Sequence, residues 1–260
     1  MKTALVTGAS SGIGAAFAKE LAKSKTNLVL VARSQDKLEQ LAKQLQQQHP
    51  IQVEVMVQDL SLPGAAREVY DKITQKGLMI DTLINNAGFG DYGKFTQREL
   101  SRQVEMIHLN ITTLVELTYL VLAPMQSQGY GNIINVASIA AFQPLPYLSV
   151  YAATKAFVLS FTEAIWAENK NTGVNILALC PGPTESQFFQ VAQFPASFNG
   201  QNQGEYTSAS QVVQDALKAL EKPHSTLVTG GLSNQIIVNL HRFLPREVLL
   251  SAVEQQFKAK

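Results

Sequence analysis

Seven short runs of β-branched or leucine-rich residues recur along the chain, at positions 4–7, 28–32, 53–57, 83–85, 133–136, 174–179 and 226–229. Most are apolar almost throughout rather than alternating, which is the pattern of a strand buried on both faces. Between them the period changes to that of a helix. The clearest case follows Ser34, where Leu38, Leu41, Ala42 and Leu45 fall at i, i+3, i+4 and i+7, with glutamines and lysines on the opposite side. Parallel strands need long crossovers, usually helices, and those helices cover both sheet faces. The pattern therefore predicts a doubly wound α/β fold: a parallel sheet of about seven strands with helices on both faces.

Two segments depart from this rhythm. Residues 185–207, with Pro195, Gly200 and Gly204, form a stretch too long for an ordinary connection, and we read it as a substrate lid. Its Phe188, Phe189, Val191, Phe194 and Phe198 would give an apolar cover; the competing expectation is that they pack on the C-terminal segment. That segment, about 232–258, reads as helical and sets Ile236, Leu240, Phe243, Leu244, Val248 and Leu249 beside Arg242 and Arg246. Subunit packing is the expectation, with membrane-surface contact as the alternative. No repeat or polar linker divides the chain, so residues 1–260 are expected to form one domain.

Composition narrows the function. The 260 residues carry 21 Lys and Arg against 20 Asp and Glu, so the basic excess typical of nucleic-acid binding is lacking and no nucleic-acid partner is expected. No window approaches the roughly 18 uninterrupted apolar residues of a membrane span. The single cysteine, Cys180, permits no internal disulfide, consistent with a reducing, cytoplasmic setting. At the end of an apolar strand it reads as a core residue. No histidine pairs with another histidine or with Cys180 at metal-ligand spacing, so no metal is expected.

The first strand runs directly into TGASSGIG, residues 7–14, with a helical pattern from about Ile13. Gly8 permits a tight turn, Gly12 lets backbone approach a pyrophosphate, and Gly14 lets helix and strand pack closely, aiming the helix N-terminus at an anion. This is where a dinucleotide would bind in a Rossmann-like fold, and Ser10, Ser11 and Ile13 belong to the same turn. The second strand ends in Ala32 and Arg33, close to twenty residues beyond the last glycine. An acidic residue there would accept the ribose hydroxyls of NAD; Arg33 instead offers a guanidinium to a 2′-phosphate, so NADP(H) is the expected cofactor. Asp59, closing the third strand, is expected to meet the adenine amino group, to cap the following helix, or both.

In SVYAATKAFVLSF a helical pattern sets Tyr151 and Lys155 four residues apart on one face. Ser138 closes a strand beginning at Asn132 and should lie at the carboxyl edge of the sheet. Asn110 sits in a long helical region from about Glu99 to Met125, and NNAG, residues 85–88, closes the fourth strand.

Through TGASSGIG, NNAG, Asn110, Ser138, Tyr151 with Lys155, and PGPT at 181–184, the sequence closely resembles the short-chain dehydrogenase/reductase family, NADP-preferring type, over about residues 3–184. The resemblance implies that Tyr151 is the general acid in carbonyl reduction or the base in alcohol oxidation. It implies that Ser138 orients the substrate oxygen, that Lys155 holds the nicotinamide ribose, and that Asn110 supports a water-mediated proton relay. On the cofactor side it implies contacts from Ile13, Asn86, Gly88 and Thr184, with Pro181 and Gly182 in the same turn. It also implies homodimers or homotetramers built on helices near residues 100–127 and 151–170. Ala137, before Ser138, stands where the family often has another serine.

Because an unperturbed tyrosine is only about 0.1% ionised at pH 7, Lys155 and an oxidised nicotinamide are expected to lower the Tyr151 pKa. The expected function is thus an NADP(H)-dependent oxidoreductase acting on a small-molecule carbonyl or secondary alcohol, hydrophobic in character. The alternative weighed against it is a noncatalytic dinucleotide-binding sensor or interaction protein.

Overall fold

In a computed structural model, residues 2–195, 198, 206–222 and 224–258 are described. Gly200 and Gly204 of the expected lid lie outside these residues. The strands β1 (Thr3–Thr7), β2 (Asn27–Ala32), β3 (Val53–Val57), β4 (Thr82–Asn85), β5 (Gly131–Val136), β6 (Val174–Cys180) and β7 (Thr226–Val228) form one sheet. Their order is β3-β2-β1-β4-β5-β6-β7, every pairing is parallel, and the order reverses between β1 and β4. In such sheets the crevice beyond the carboxyl ends at the reversal is where ligands bind.

The two-residue period of the strands sorts their side chains between two cores. Ala4, Val6, Leu28 and Leu30 face α1 (Gly12–Lys23), α2 (Gln35–Gln48) and α8 (Ala209–Ala219), which contribute Phe17, Leu38, Leu45 and Val212. Leu5, Val29, Val31, Leu83 and Ile133 face the other way, toward α3 (Ala65–Gln75), α5 (Leu114–Gln128) and α6 (Ser149–Glu168), which contribute Ile73, Leu117 and Ile165. Within the second layer lies a polar knot. Asn85 and Asn135 are in register on adjacent strands, and Asn85 Nδ2 donates to Asn135 Oδ1 at 2.9 Å and to Thr118 Oγ1 at 3.0 Å. Asn135 Nδ2 donates in turn to Thr162 Oγ1 at 3.1 Å. Buried amides need partners, so this chain of bonds fixes α5 and α6 in one register against β4 and β5.

The long helical region is α4 (Leu100–Ile107), a π-helical turn (His108–Thr113) and α5, continuous through Pro124. By length and composition, the helix Leu100–Gln128 is apolar enough to cross a membrane. Polar residues such as Asn110 and Glu116 interrupt its apolar runs, so it contains no unbroken apolar span. It is held on the sheet by Leu117, Val121 and Met125, and core helices meet the same criterion. The lid contains a short helix, α7 (Phe188–Val191), and the C-terminal segment forms α9 (Leu232–Asn239) and α10 (Arg246–Phe257).

Candidate active site

At the reversal, the chain leaves β1 and turns tightly into α1. Gly8 has φ +64°, and a Cβ there would stand 2.7 Å from Asn86 Nδ2; a Cβ on Gly14 would meet the Gly8 carbonyl oxygen at 2.3 Å. Neither position admits a side chain without moving backbone. Ser11, the N-cap, is extended and makes no side-chain cap, so the amides of Gly12, Ile13 and Gly14 in the first turn are left for another acceptor. A cradle of bare backbone facing an uncapped helix N-terminus fits the pyrophosphate of a dinucleotide. Gly14→Ala is therefore expected to weaken dinucleotide binding at least about tenfold, since the turn must open to relieve the clash; unchanged affinity in a fluorescence titration would contradict this.

Asn86, expected to line the adenosine side, braces the turn. Its Nδ2 donates to the carbonyls of Thr7 at 3.0 Å and Gly8 at 3.3 Å, and Thr7 Oγ1 accepts from the amides of Asn86 and Ala87. Sequence reasoning missed Thr7, whose only signal is its place at the mouth of the glycine turn. Arg33 is about two-thirds exposed, with Nη1 3.8 Å from Asp59 Oδ2 and 4.0 Å from Glu105 Oε1. At those distances the guanidinium is loosely held and its hydrogen-bonding edge remains open to a phosphate. Asp59 does not cap the next helix, because the N-cap of α3 is Gly64. Its Oδ1 accepts instead from Ser61 N at 3.0 Å and Ser61 Oγ at 2.7 Å, closing a local turn.

The catalytic candidates gather at the carboxyl ends of β4, β5 and β6. Ser138 follows β5 by two residues and caps a short 3₁₀ turn, accepting from Ala140 N at 3.1 Å. Tyr151 and Lys155 lie on one face of α6, both buried, with Lys155 Nζ 5.8 Å from the centre of the Tyr151 ring. Lys155 Nζ donates to the Val136 carbonyl at 2.7 Å, which leaves its remaining protons to aim into the crevice. Asn110 sits in the π-helical turn, 1% exposed, and clasps the loop after β4. Its Oδ1 accepts from Phe89 N at 3.1 Å, and its Nδ2 donates to Phe89 O at 3.0 Å and to Thr154 Oγ1 at 3.0 Å. Those bonds occupy its amide, so here Asn110 shapes the loop that carries Gly88; a Cβ on Gly88 would strike Asn110 Oδ1 at 2.8 Å.

Electrostatics depart from the sequence expectation. Burial pushes the Tyr151 hydroxyl up to about 12, and a side-chain hydrogen bond with Ser138 pulls it only part of the way back. In the cofactor-free chain burial outweighs any help from the Lys155 ammonium, which bonds to the Val136 carbonyl. Burial also brings Lys155 down to about 8, with Cys180 opposing. Cys180, buried beneath Ser138, is pushed up to about 12 and is no nucleophile. A tyrosine that keeps its proton beside a serine hydroxyl is arranged to give a proton to an oxygen held between them.

Above this group lies an aromatic cluster. The Phe188 ring is 5.1 Å from that of Tyr151, whereas Phe194 and Phe198 pack on Tyr92 at 4.7 and 5.5 Å. Phe188 lies against Tyr151, Phe194 belongs to the same core as Leu249 and Val253 of α10, and Val191 is exposed. Thr184 is buried, with Oγ1 donating to Gly182 O at 2.9 Å and its backbone bridging to Thr207. Pro181 opens this turn after β6, and Asn234 of α9 presses on Gly182, where a Cβ would meet Asn234 Nδ2 at 2.0 Å. Sequence reasoning also missed Asn234, which lies far along the chain.

Comparison with known proteins gives the same picture. Residues 2–194 match the family model described as short chain dehydrogenase. The very-long-chain 3-oxoacyl-CoA reductase of Anas platyrhynchos is 37% identical over 184 residues, 68% of this chain and 58% of the duck protein, so the chain spans less than two thirds of that relative. The 17-beta-hydroxysteroid dehydrogenase type 3 of Mus musculus is 31% identical over 98% of this chain and 80% of its own. Among solved structures, a short-chain dehydrogenase from Sphingobium yanoikuyae in complex with NADPH superimposes with a TM-score of 0.82 at 29% identity, covering 95% of this chain and 97% of that one. With the parallel sheet, the glycine cradle and the serine, tyrosine and lysine at its edge, these likenesses establish that the chain belongs to the short-chain dehydrogenase family of oxidoreductases.

Proposed function

We propose that the protein is an NADP(H)-dependent oxidoreductase that reduces an apolar ketone or aldehyde, or oxidises the corresponding alcohol. The observation that carries this reading is the convergence of Ser138, Tyr151 and Lys155 at the carboxyl edge of the sheet beneath Phe188. When bound, NADPH supplies the hydride that adds to the carbonyl carbon. The Tyr151 hydroxyl donates the proton to the carbonyl oxygen, Ser138 holds that oxygen beside Tyr151, and Lys155 binds the ribose hydroxyls. Ile13, Gly14 and Gly12 would hold the pyrophosphate, and Arg33 the 2′-phosphate. The aromatic cover over Tyr151 supports an apolar substrate, as do relatives named for very-long-chain 3-oxoacyl-CoA and hydroxysteroid chemistry. The noncatalytic reading has no support, since every catalytic group is present.

Oxidation of NADPH over a panel of ketones graded in size and apolarity tests the proposal; NADPH binding with no turnover on any member would oppose it. Arg33→Ala is expected to lower the preference for NADPH over NADH about ten- to a hundredfold, the worth of one charge-assisted hydrogen-bond pair, and an unchanged ratio of kcat/KM values would remove Arg33 from cofactor choice. A homodimer or homotetramer is part of the proposal, supported by exposed Leu100, Val104, Tyr119 and Phe157 on the outer faces of α4, α5 and α6. The buried, unpaired Cys180 supports a reducing, cytoplasmic setting.

A further inference from the structure

Asp91 lies just beyond the glycine turn after β4, and its side chain is fully buried. A buried carboxylate persists only when paired and hydrogen-bonded. Here Oδ2 accepts from Arg98 Nε at 2.8 Å and from Gln103 Nε2, and Oδ1 accepts from Arg102 Nε at 2.9 Å and from Arg98 Nη2. Burial pushes the carboxyl up, but the bonds from Arg98 and Arg102 outweigh it and hold the group below its ordinary value. Arg98 stands in extended backbone just before α4 and Arg102 in the first turn of that helix, and the chain's entry into α4 brings both guanidinium groups to one carboxylate.

Each guanidinium also reaches past Asp91 to the lid. Arg98 Nη2 donates to Gln193 Oε1 at 2.6 Å, and Arg102 Nη2 donates to the Val191 carbonyl at 2.7 Å. Between these two grips the Tyr92 amide donates to the Ala192 carbonyl at 2.8 Å. Gln193 stands at φ +57°, a conformation a non-glycine residue keeps only when its surroundings hold it. The helix α7 has four residues, too few to keep its place unaided. It carries Phe188, the ring over Tyr151.

We propose that Asp91 is a positioning residue for the substrate site. Through Arg98 and Arg102 it fastens the α7 segment, keeps Phe188 over Tyr151, and so sets the bulk of the apolar carbonyl compound the site accepts. The effect on turnover rests on the reading of this chain as a carbonyl reductase; the effect on the segment does not.

The test uses the full chain with Asp91→Asn and, as a milder partner, Gln193→Ala, which removes only the exposed end of the Arg98 contact. Hydrogen exchange is read at the amides of Val191, Ala192 and Phe194, which bond within the segment. In Asp91→Asn these are expected to exchange at least about tenfold faster while the amides of β1 and β4–β6 keep their rates. Gln193→Ala should shift the same amides less, which keeps the test decisive if Asp91→Asn fails to fold. For the bulkiest carbonyl substrate turned over, KM should rise about tenfold with kcat within about threefold and NADPH affinity unchanged. Unchanged lid exchange, or exchange that rises equally in the sheet, would overturn the proposal, as would a loss shared equally by small and bulky substrates. A parent protein that reduces no carbonyl compound would count against the functional reading alone, and the exchange data would still decide the positioning role.

Discussion

Tyr151→Phe is expected to lower carbonyl reduction by about two to four orders of magnitude while leaving NADPH affinity unchanged, the range removed with a positioned general acid. Phenylalanine keeps the ring that packs against Phe188 and removes only the hydroxyl bonded to Ser138. The proton is then missing at the moment negative charge develops on the carbonyl oxygen. Because burial holds the hydroxyl up near 12, the acid form persists through neutral pH, and Tyr151 itself should impose no limb on the reduction profile in that range. The loss should appear in kcat, measured under saturating NADPH, with thermal stability altered by no more than about 1 kcal/mol for one lost hydrogen bond. A variant within threefold of the parent would take the tyrosine out of the chemistry.

The second large effect concerns Lys155. Its ammonium, brought down to about 8 by burial, should lose its proton just above neutrality in the cofactor-free protein. Since kcat/KM reports groups of the free enzyme, kcat/KM for NADPH is expected to be level below about pH 7 and to fall roughly tenfold per unit above about pH 8. Unfolding does not produce that limb. A lysine whose folded pKa lies below its unfolded value of 10.5 binds fewer protons when folded, so its destabilising burial is fully felt below about 8 and is relieved as pH rises toward 10.5. Lys155→Arg keeps a charge at every accessible pH and should erase the limb, whereas Lys155→Met should lower kcat/KM at least about a hundredfold below about pH 7, with the gap narrowing at alkaline pH as the parent's lysine loses its own charge. The same alkaline limb in Lys155→Arg would assign it to another group.

The sheet was legible because β1, β2, β4, β5 and β6 are buried along nearly their whole length, so short apolar runs between helical patterns mark them, while the edge strands β3 and β7 are only partly buried. The strand expected from Asn132 to Ser138 is corrected at both ends: β5 runs Gly131–Val136, Gly131 belongs there because a Cβ would collide with Met125 Sδ at 2.5 Å, and Ser138 lies beyond the strand, capping a 3₁₀ turn. Ser138, Tyr151 and Lys155 were legible from motif order, since Ser138 follows the end of β5 and Tyr151 and Lys155 lie in the first two turns of α6. Their energetics were not. Proximity of Lys155 suggested a lowered tyrosine, but whether a cation helps depends on where its ammonium points and how much water remains, and both are tertiary facts. The π-helical turn at Asn110 was equally hidden, because the bonds that fix that side chain run to Phe89 and Thr154, on other elements. Asp91 is the extreme case: in the sequence it is one aspartate in a loop, and only the fold brings it to Arg98, Arg102 and, through them, to residues 191–193.

Deuterium transfer tests the central claim most directly. The protein would be incubated with NADPH carrying deuterium at C4 of the nicotinamide, on the transferring face, and an apolar ketone, and the product analysed by mass spectrometry beside the Tyr151→Phe variant. The account expects one deuterium on the carbinol carbon with the parent protein and next to none with the variant. Unlabelled ketone recovered despite tight NADPH binding, or equal labelling by both proteins, would contradict it.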